Sequence, residues 1–406
     1  MNTMMFRLGA MMFLEFFIWG AWFVTLGTYL GQGPLHADGS QIAAAYLSQS
    51  IGAILAPFVV GLIADRYCSA QRILAVLQLG GAVLMWIAPE MSRFPAFLVL
   101  IMLYMVLFMP TLALVNTVAM RHMSDPARQF PPVRVAGSIG WIVAGLAIAW
   151  LSLEQQHRLD LTFRMASIAA TVLALYALSL PDTPPLKRGS DVSISEIFGL
   201  DSLKLLRSRS YLVFFLASIA ICVPLSFYYN FTNPFLNEIG VQGAAGLQSL
   251  GQMSEVLLML AMPLILAMLG VKVMLVVSMV AWVLRYVLFA YGNVDTAYWS
   301  LVAGIVLHGI CYDFFFVAGQ IYTDSHAGPR FRSAAQGFIT LATYGVGMLI
   351  GTYLSGAVVD HFTRGTVHDW RAIWLVPASA ALIVLVIFVA LFRERTSGAP
   401  EIKPLS

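Results

Sequence analysis

The sequence predicts an all-α integral membrane protein with twelve transmembrane helices arranged as two six-helix bundles. Three observations predict this. The 406 residues are 60% hydrophobic and only 11% charged, whereas soluble domains carry about 25% charged residues. The apolar residues gather into runs of about 20 or more, the length needed to cross roughly 30 Å of hydrocarbon. The basic residues gather between those runs, and unevenly on the two sides.

The first run, within MFRLGAMMFLEFFIWGAWFVTLGTYL, follows a single arginine. It is too long for the core of a signal peptide and lacks a small-residue cleavage site, so it reads as the first span, 7 to 31. Spans follow at 40 to 64, 72 to 89, 95 to 117, 131 to 152 and 161 to 180, parted by short polar or Gly/Pro-bearing turns. After the polar stretch PDTPPLKRGSDVSISEIFGLDSLKLLRSR come six more, at 210 to 236, 245 to 269, 273 to 291, 297 to 322, 333 to 358 and 371 to 393. The expected organisation is a bundle over 1 to 180, a linker over 181 to 209, a second bundle over 210 to 393 and a tail over 394 to 406.

Of the 23 lysines and arginines, sixteen fall on the side shared by both termini and the linker, and five on the other. Arg134 and Arg285 lie inside spans. The positive-inside rule then expects both termini in the cytoplasm. A net charge of +3, spread along the chain, excludes a nucleic-acid-binding patch. Cys68, Cys222 and Cys311 form no CxxC pair and have no histidine at zinc-ligand spacing, so neither a disulfide nor a metal site is expected. No HExxH, G-x-S-x-G or phosphate-binding glycine loop stands in a fitting context, and the chain reads as no enzyme.

An ionisable residue inside a span costs roughly 2.5 to 3.5 kcal/mol on insertion scales and is functional by default. The deep ones are Glu15, Arg134, Glu255, Arg285 and Asp313, with polar neighbours Asn116, Gln252, His308 and Gln320. Gln252 and Glu255 are three apart, His308 and Tyr312 four apart with Asp313 adjacent, and Arg134, Ser138 and Trp141 follow at four and three. Each set can share one helical face. Two six-span halves joined by a basic loop are the ground plan of the major facilitator transporters, whose site lies near the midplane between the halves. In that plan spans 5, 8 and 10 border a central cavity, so Arg134, Glu255 and Asp313 could converge there. Structural salt bridges are the competing reading. For Arg285, on a peripheral span, the structural reading is favoured, and for Glu15 both stay open. Aromatic residues such as Trp19, Trp22, Trp141 and the FYYNF run at 227 to 231 would give a cavity flat apolar walls. Such walls suit a heterocycle bearing a polyol, and suit a sugar as well.

The chain resembles the nucleoside:proton symporter family of the major facilitator superfamily, the bacterial permeases of the NupG and YegT type, and the YegT-like branch more closely. The blocks that carry the resemblance are FLEFFIWGAWFVTLGTYL, GLIADRYCSAQ, MPTLALVNT, FPPVRVAGSIGW, FGLDSLKLL, SEVLLMLAMPL, AWVLRYVLFAYG and YDFFFVAGQIYTD followed by RSAAQGF. The resemblance implies import of nucleosides coupled to protons across the bacterial inner membrane, by a monomer with protons as coupling ion and no other cofactor. By position it implies substrate contacts at Arg134, Ser138, Trp141, Ser226, Tyr229, Gln252, Glu255, His308 and Tyr312, with Glu255 and Asp313 coupling protons. The better-known pattern has threonine for Ser138, phenylalanine for Trp141 and Tyr312, glutamine for Ser226, asparagine for Tyr229 and tyrosine for His308. Asp65 and Arg66, in the loop motif G-x-x-x-D-R after span 2, are expected to hold helix ends together as a gate. A symporter of sugars or other small polar metabolites is the alternative, followed by a membrane substrate sensor.

Overall fold

Each long apolar run folds as helix in the computed structural model, which describes residues 3–59, 67–185 and 200–393. Asp65 and Arg66, most of the linker and the tail lie outside the described residues. Helix α1, Thr3–Phe23, pauses at Val24 and Thr25 and resumes as α2, Leu26–Gln32. Helix α3, Gly39–Val59, opens on a reciprocal cap. Gln41 N–H donates to Asp38 Oδ1 at 2.7 Å, and Asp38 N–H donates to Gln41 Oε1 at 3.2 Å, which satisfies two of the donors a helix start leaves free. Helices α4, Ala70–Ile87, and α5, Phe94–Arg121, follow.

Helix α6, Pro126–Trp150, starts five residues before the expected boundary and takes in Pro131 and Pro132. The reason is local. Asp125 accepts from Arg128 N–H, and Pro126 occupies the opening of the helix, where a missing N–H costs nothing. Helix α7 covers Asp160–Ser179, and α8 covers Arg209–Glu238 with Pro224 and Pro234 inside it.

Helix α9, Ala244–Tyr291, runs for 48 residues, about 72 Å at 1.5 Å per residue and more than twice the hydrocarbon thickness. Gly270 interrupts it at φ 70°, ψ 164°, a conformation that only glycine adopts without strain. The expected spans 245 to 269 and 273 to 291 meet at this break. Helices α10, Tyr298–Val306, and α11, His308–Tyr312, lead into a π-helical turn at Asp313–Val317. Then come α12, Ala318–Thr340, a second π turn at Leu341–Gly347, and α13, Met348–His361. A two-residue ribbon, β1 Thr363–Arg364 on β2 Val367–His368, turns the chain into α14, Trp370–Leu391.

Among the described residues, ten helical stretches are long and apolar enough to cross a membrane. The long stretch with the Gly270 break counts once in that number, and α3 adjoins residues that are not described. Exposed apolar residues recur at helical spacing on α4 (Val76, Leu79, Val83), α7 (Ile168, Val172, Leu175), the second part of α9 (Val273, Val277, Val280, Leu284) and α14 (Ile383, Val386, Val389). Such continuous apolar stripes are solvated by lipid rather than by water. Within the first half α1 packs on α6 and α7, α3 on α5, and α4 on α5 and α7. Within the second half α9 packs on α14, and α8 on α13 and α14. The halves meet where α3 packs on α13, α6 on α9 and α2 on α8, so the non-peripheral helices border the space between them.

Candidate substrate and proton site

A narrow cleft of about 10 Å³, room for about one water, lies where these helices meet, lined by Phe23, Val24, Trp141, Tyr228, Tyr229, Gln248 and Gln252. Small residues permit the approach. A Cβ on Gly20 would lie 3.1 Å from Trp141, so glycine there lets the indole of α6 lie across α1. Trp141 meets Trp19 edge to face, with centroids 5.4 Å apart, and Phe23 at 6.4 Å. Phe23 in turn meets Tyr229 of α8 at 6.3 Å, so one aromatic wall crosses from the first half to the second. Gln248 and Gln252, one turn apart on α9, place amides against it.

The next turn of α9 carries Glu255. Its Oε2 stands 3.7 Å from His308 Nε2, within reach of electrostatic attraction and beyond a hydrogen bond. A Cβ on Gly309 would fall 2.7 Å from Glu255 N, so glycine at 309 lets α11 lie against α9, and Gly309 N–H donates to Ser254 Oγ at 3.0 Å. His308 is fully buried, stacks on Tyr228 with centroids 4.9 Å apart, and has no hydrogen-bond partner on either nitrogen. Tyr312 hydrogen-bonds through its hydroxyl to Tyr344. Asp313 opens the π turn, fully buried, with neither oxygen partnered. Arg134 lies over the Phe16 ring at 4.2 Å, and its Nη1 is buried without a partner.

No ion pair joins Arg134, Glu255 and Asp313 among the described residues, and the one ionic neighbour of Glu255 is His308. Trp141, Tyr229 and Gln252 stand on the cleft, with Glu255, His308 and Tyr312 beside it. Ser138 is buried one turn from Arg134. Ser226 is placed differently. Its Oγ donates to Cys222 O at 2.8 Å and faces Met348 Sδ at 3.5 Å, inside the contact of α8 with α13.

Two residues left open by sequence now have surroundings. Glu15 sits among α1, α4 and α5, accepting from Thr111 Oγ1 at 2.5 Å and Gln78 Nε2 at 2.7 Å. Arg285 donates from Nε to Gly304 O at 2.9 Å and lies 3.8 Å over the Tyr228 ring. Sequence reasoning missed Gln248 and Tyr344, and held Tyr228 only within the FYYNF run at 227 to 231. Gln248 was within reach, since it precedes Gln252 by one turn.

Comparison with known proteins decides what this cleft belongs to. Residues 1–397 match the family described as Nucleoside H+ symporter. The chain belongs to the nucleoside H+ symporter family. Among curated relatives of Escherichia coli (strain K12), the protein named putative nucleoside transporter YegT is 39% identical, with 98% of this chain and 96% of YegT covered. Nucleoside permease NupG is 31% identical, with 97% of each chain covered. A crystal structure of nucleoside transporter NupG superposes with a TM-score of 0.87 at 30% identity, covering 97% of this chain and all of that one. A peptide transporter of the POT family, at 13% identity and a TM-score of 0.74, shows the shared transporter fold alone. Like the rest of the family, this chain is a multi-pass membrane transporter with protons as coupling ion.

Proposed function

We propose that this protein imports nucleosides into the cytoplasm in symport with protons, by alternating access of one central site. Twelve spans in two six-helix bundles, 1 to 180 and 210 to 393, would carry that cycle in a bacterial inner membrane with both termini cytoplasmic, as a monomer. The count follows when the stretch broken at Gly270 is taken as two spans and α3 as another. No soluble cofactor, metal or nucleic acid enters the scheme.

The observation that carries the reading is the α9 face. Gln252 presents a donor and an acceptor to a cleft walled by Trp141, Phe23 and Tyr229, and Glu255 follows on the next turn. A nucleobase stacks on such rings while an amide reads its edge. In this scheme Trp141, Tyr229, Gln252 and Tyr312 contact the nucleoside, with Arg134, Ser138 and His308 at its margin. Glu255 and Asp313 take up the coupled proton, and Arg134 biases Glu255 toward its charged form. Ser226 would reach substrate only if α8 rotated away from α13. Asp65 and Arg66 would gate the cytoplasmic end.

Uptake into proteoliposomes tests the scheme. A proton gradient, acid outside, is expected to drive uridine or adenosine inward against its gradient, with unlabelled nucleosides competing and common sugars not. Competition by sugars with no effect of nucleosides would overturn the substrate class. Glu255→Gln is expected to exchange nucleoside across the membrane while losing uphill uptake. Wild-type uphill uptake by that variant would remove Glu255 from the coupling step.

A further inference from the structure

At the end of the molecule remote from the termini, each half ends a helix on a carboxylate that caps a helix of the other half. Beyond α6, Glu154 is 6% exposed. Its two oxygens accept from Ala245 N–H at 3.3 and 3.1 Å, and Oε1 also accepts from Asn233 Nδ2 and Asn237 Nδ2, both at 2.9 Å. Ala245 is in the first turn of α9, whose own cap position is Gly243, at φ 64° and without a side chain. The helix start lacks a cap of its own, and Glu154 supplies it from across the interface. Near the end of α13, Asp360 accepts from Gly39 N–H at 2.6 Å and Ser40 N–H at 2.9 Å, and from the Ser40 hydroxyl. These N–H groups open α3, and its local cap, Asp38, reaches Gln41 N–H instead.

The two contacts are counterparts. In a chain of two six-span repeats, α6 and α13 are the fifth spans and α3 and the first part of α9 are the second spans. A carboxylate after span five of each repeat thus caps span two of the other. Both interfaces are closed to backbone distance by glycine. A Cβ on Gly145 would lie 2.9 Å from Ala245 O, and one on Gly356 would lie 2.7 Å from Gly39 O. Thr28 Oγ1 donates to Asn233 Oδ1 at 2.5 Å, which links α2 to the Glu154 cluster.

We propose that Glu154 and Asp360 are a matched pair of gating residues that hold the remote end of the transporter shut, each by placing a negative charge on the positive end of the opposite half's helix. The caps exist only while the halves touch. Opening this end exposes three backbone N–H groups and two carboxylates to water, so neutralising either acid shifts the protein toward the state open there. The proposal adds to the transport reading but its test needs no substrate, so failure of one leaves the other standing.

The test uses Val24→Cys, a cleft position, in a chain whose exposed Cys68 is serine, reconstituted in vesicles. A membrane-impermeant maleimide is applied from the side opposite the termini. Asp360→Asn and Glu154→Gln are each expected to speed labelling about fivefold, the worth of one negative charge at a helix N-terminus. The double variant is expected to multiply the two effects, to roughly twenty-five-fold. Asp360 is the more exposed of the two, and its variant serves if Glu154→Gln fails to fold. Lowered thermal stability with unchanged labelling would mean the caps only stabilise the fold, and would overturn the proposal. Acceleration by one variant and not the other would overturn the pairing.

Discussion

Glu15 and Glu255 are both carboxylates within apolar helices, and their neighbours assign them different work. Glu255 keeps 13% of its side chain exposed and stands beside His308, one turn from the cleft-lining Gln252. Glu15 has no exposure, and Gln78 and Thr111 occupy both its oxygens. Among the described residues no basic side chain lies within ion-pair distance of it. Glu15 is thus a tie among α1, α4 and α5, not a group that meets substrate or solvent. Glu15→Ala would leave the Thr111 hydroxyl on Phe108 O but the Gln78 amide with only a 3.3 Å contact to Thr111, at about 1 to 3 kcal/mol for a buried group left poorly paired, and a lower unfolding temperature in detergent is expected. Glu15→Gln can still accept from the Gln78 amide through its oxygen and donate its own amide to the Thr111 hydroxyl, which keeps Phe108 O as its acceptor, and is expected to keep most of the stability and the proton-driven uptake. If Glu15→Gln protein of normal stability cannot accumulate nucleoside, Glu15 belongs to the coupling machinery after all. Sequence left this residue undecided because a lone glutamate in an apolar run looks the same whether its partners are neutral or charged. The Gln252–Glu255 spacing was legible, since residues three apart must share a helix face. Ser226 shows the opposite case, where position along a motif does not reveal that a hydroxyl turns back on its own helix.

At the scale of helices, the apolar runs marked where the chain is helical, with ten stretches long and apolar enough to cross a membrane among the described residues, and marked the interruptions within them poorly. Gly270 was read as part of a turn and is one. The π turn at Asp313–Val317 has no sequence signature, because it inserts a residue into a helix without proline or glycine, and such turns cluster at functional sites. The close crossings depend on glycine in a way that can be tested. At position 145 a Cβ would lie 2.9 Å from the Ala245 carbonyl, closer than packed carbon and oxygen approach. Gly145→Val is expected to keep α6 from closing on α9 while leaving Trp141 and Gln252, each on its own helix, able to meet nucleoside in the open state. Nucleoside should still bind, seen as a raised unfolding temperature when ligand is added, while net uptake falls at least tenfold. Wild-type uptake by this variant would show that the contact opens and closes too little to matter for transport.

For the whole molecule, the coupling claim reduces to a quantity. One elementary charge crossing 100 mV yields about 2.3 kcal/mol, and at about 1.36 kcal/mol per factor of ten this supports roughly fifty-fold accumulation of a neutral solute per proton. That work can be drawn only if proton and nucleoside cross together, which requires the acid that binds the proton to feel the substrate. Glu255 stands one helical turn from Gln252, which lines the cleft, and Asp313 lies in a fully buried turn. One acid a turn from the cleft, with a second fully buried, favours one coupled proton per nucleoside. In vesicles held at a set membrane potential with no pH difference, steady-state accumulation is therefore expected to rise about sevenfold as the potential goes from 50 to 100 mV, following one charge. A protonophore should abolish the gradient without stopping equilibration. Accumulation rising as the square of that factor would mean that Asp313 carries a second proton through the cycle, and accumulation indifferent to potential would mean that nucleoside moves without a net charge beside it.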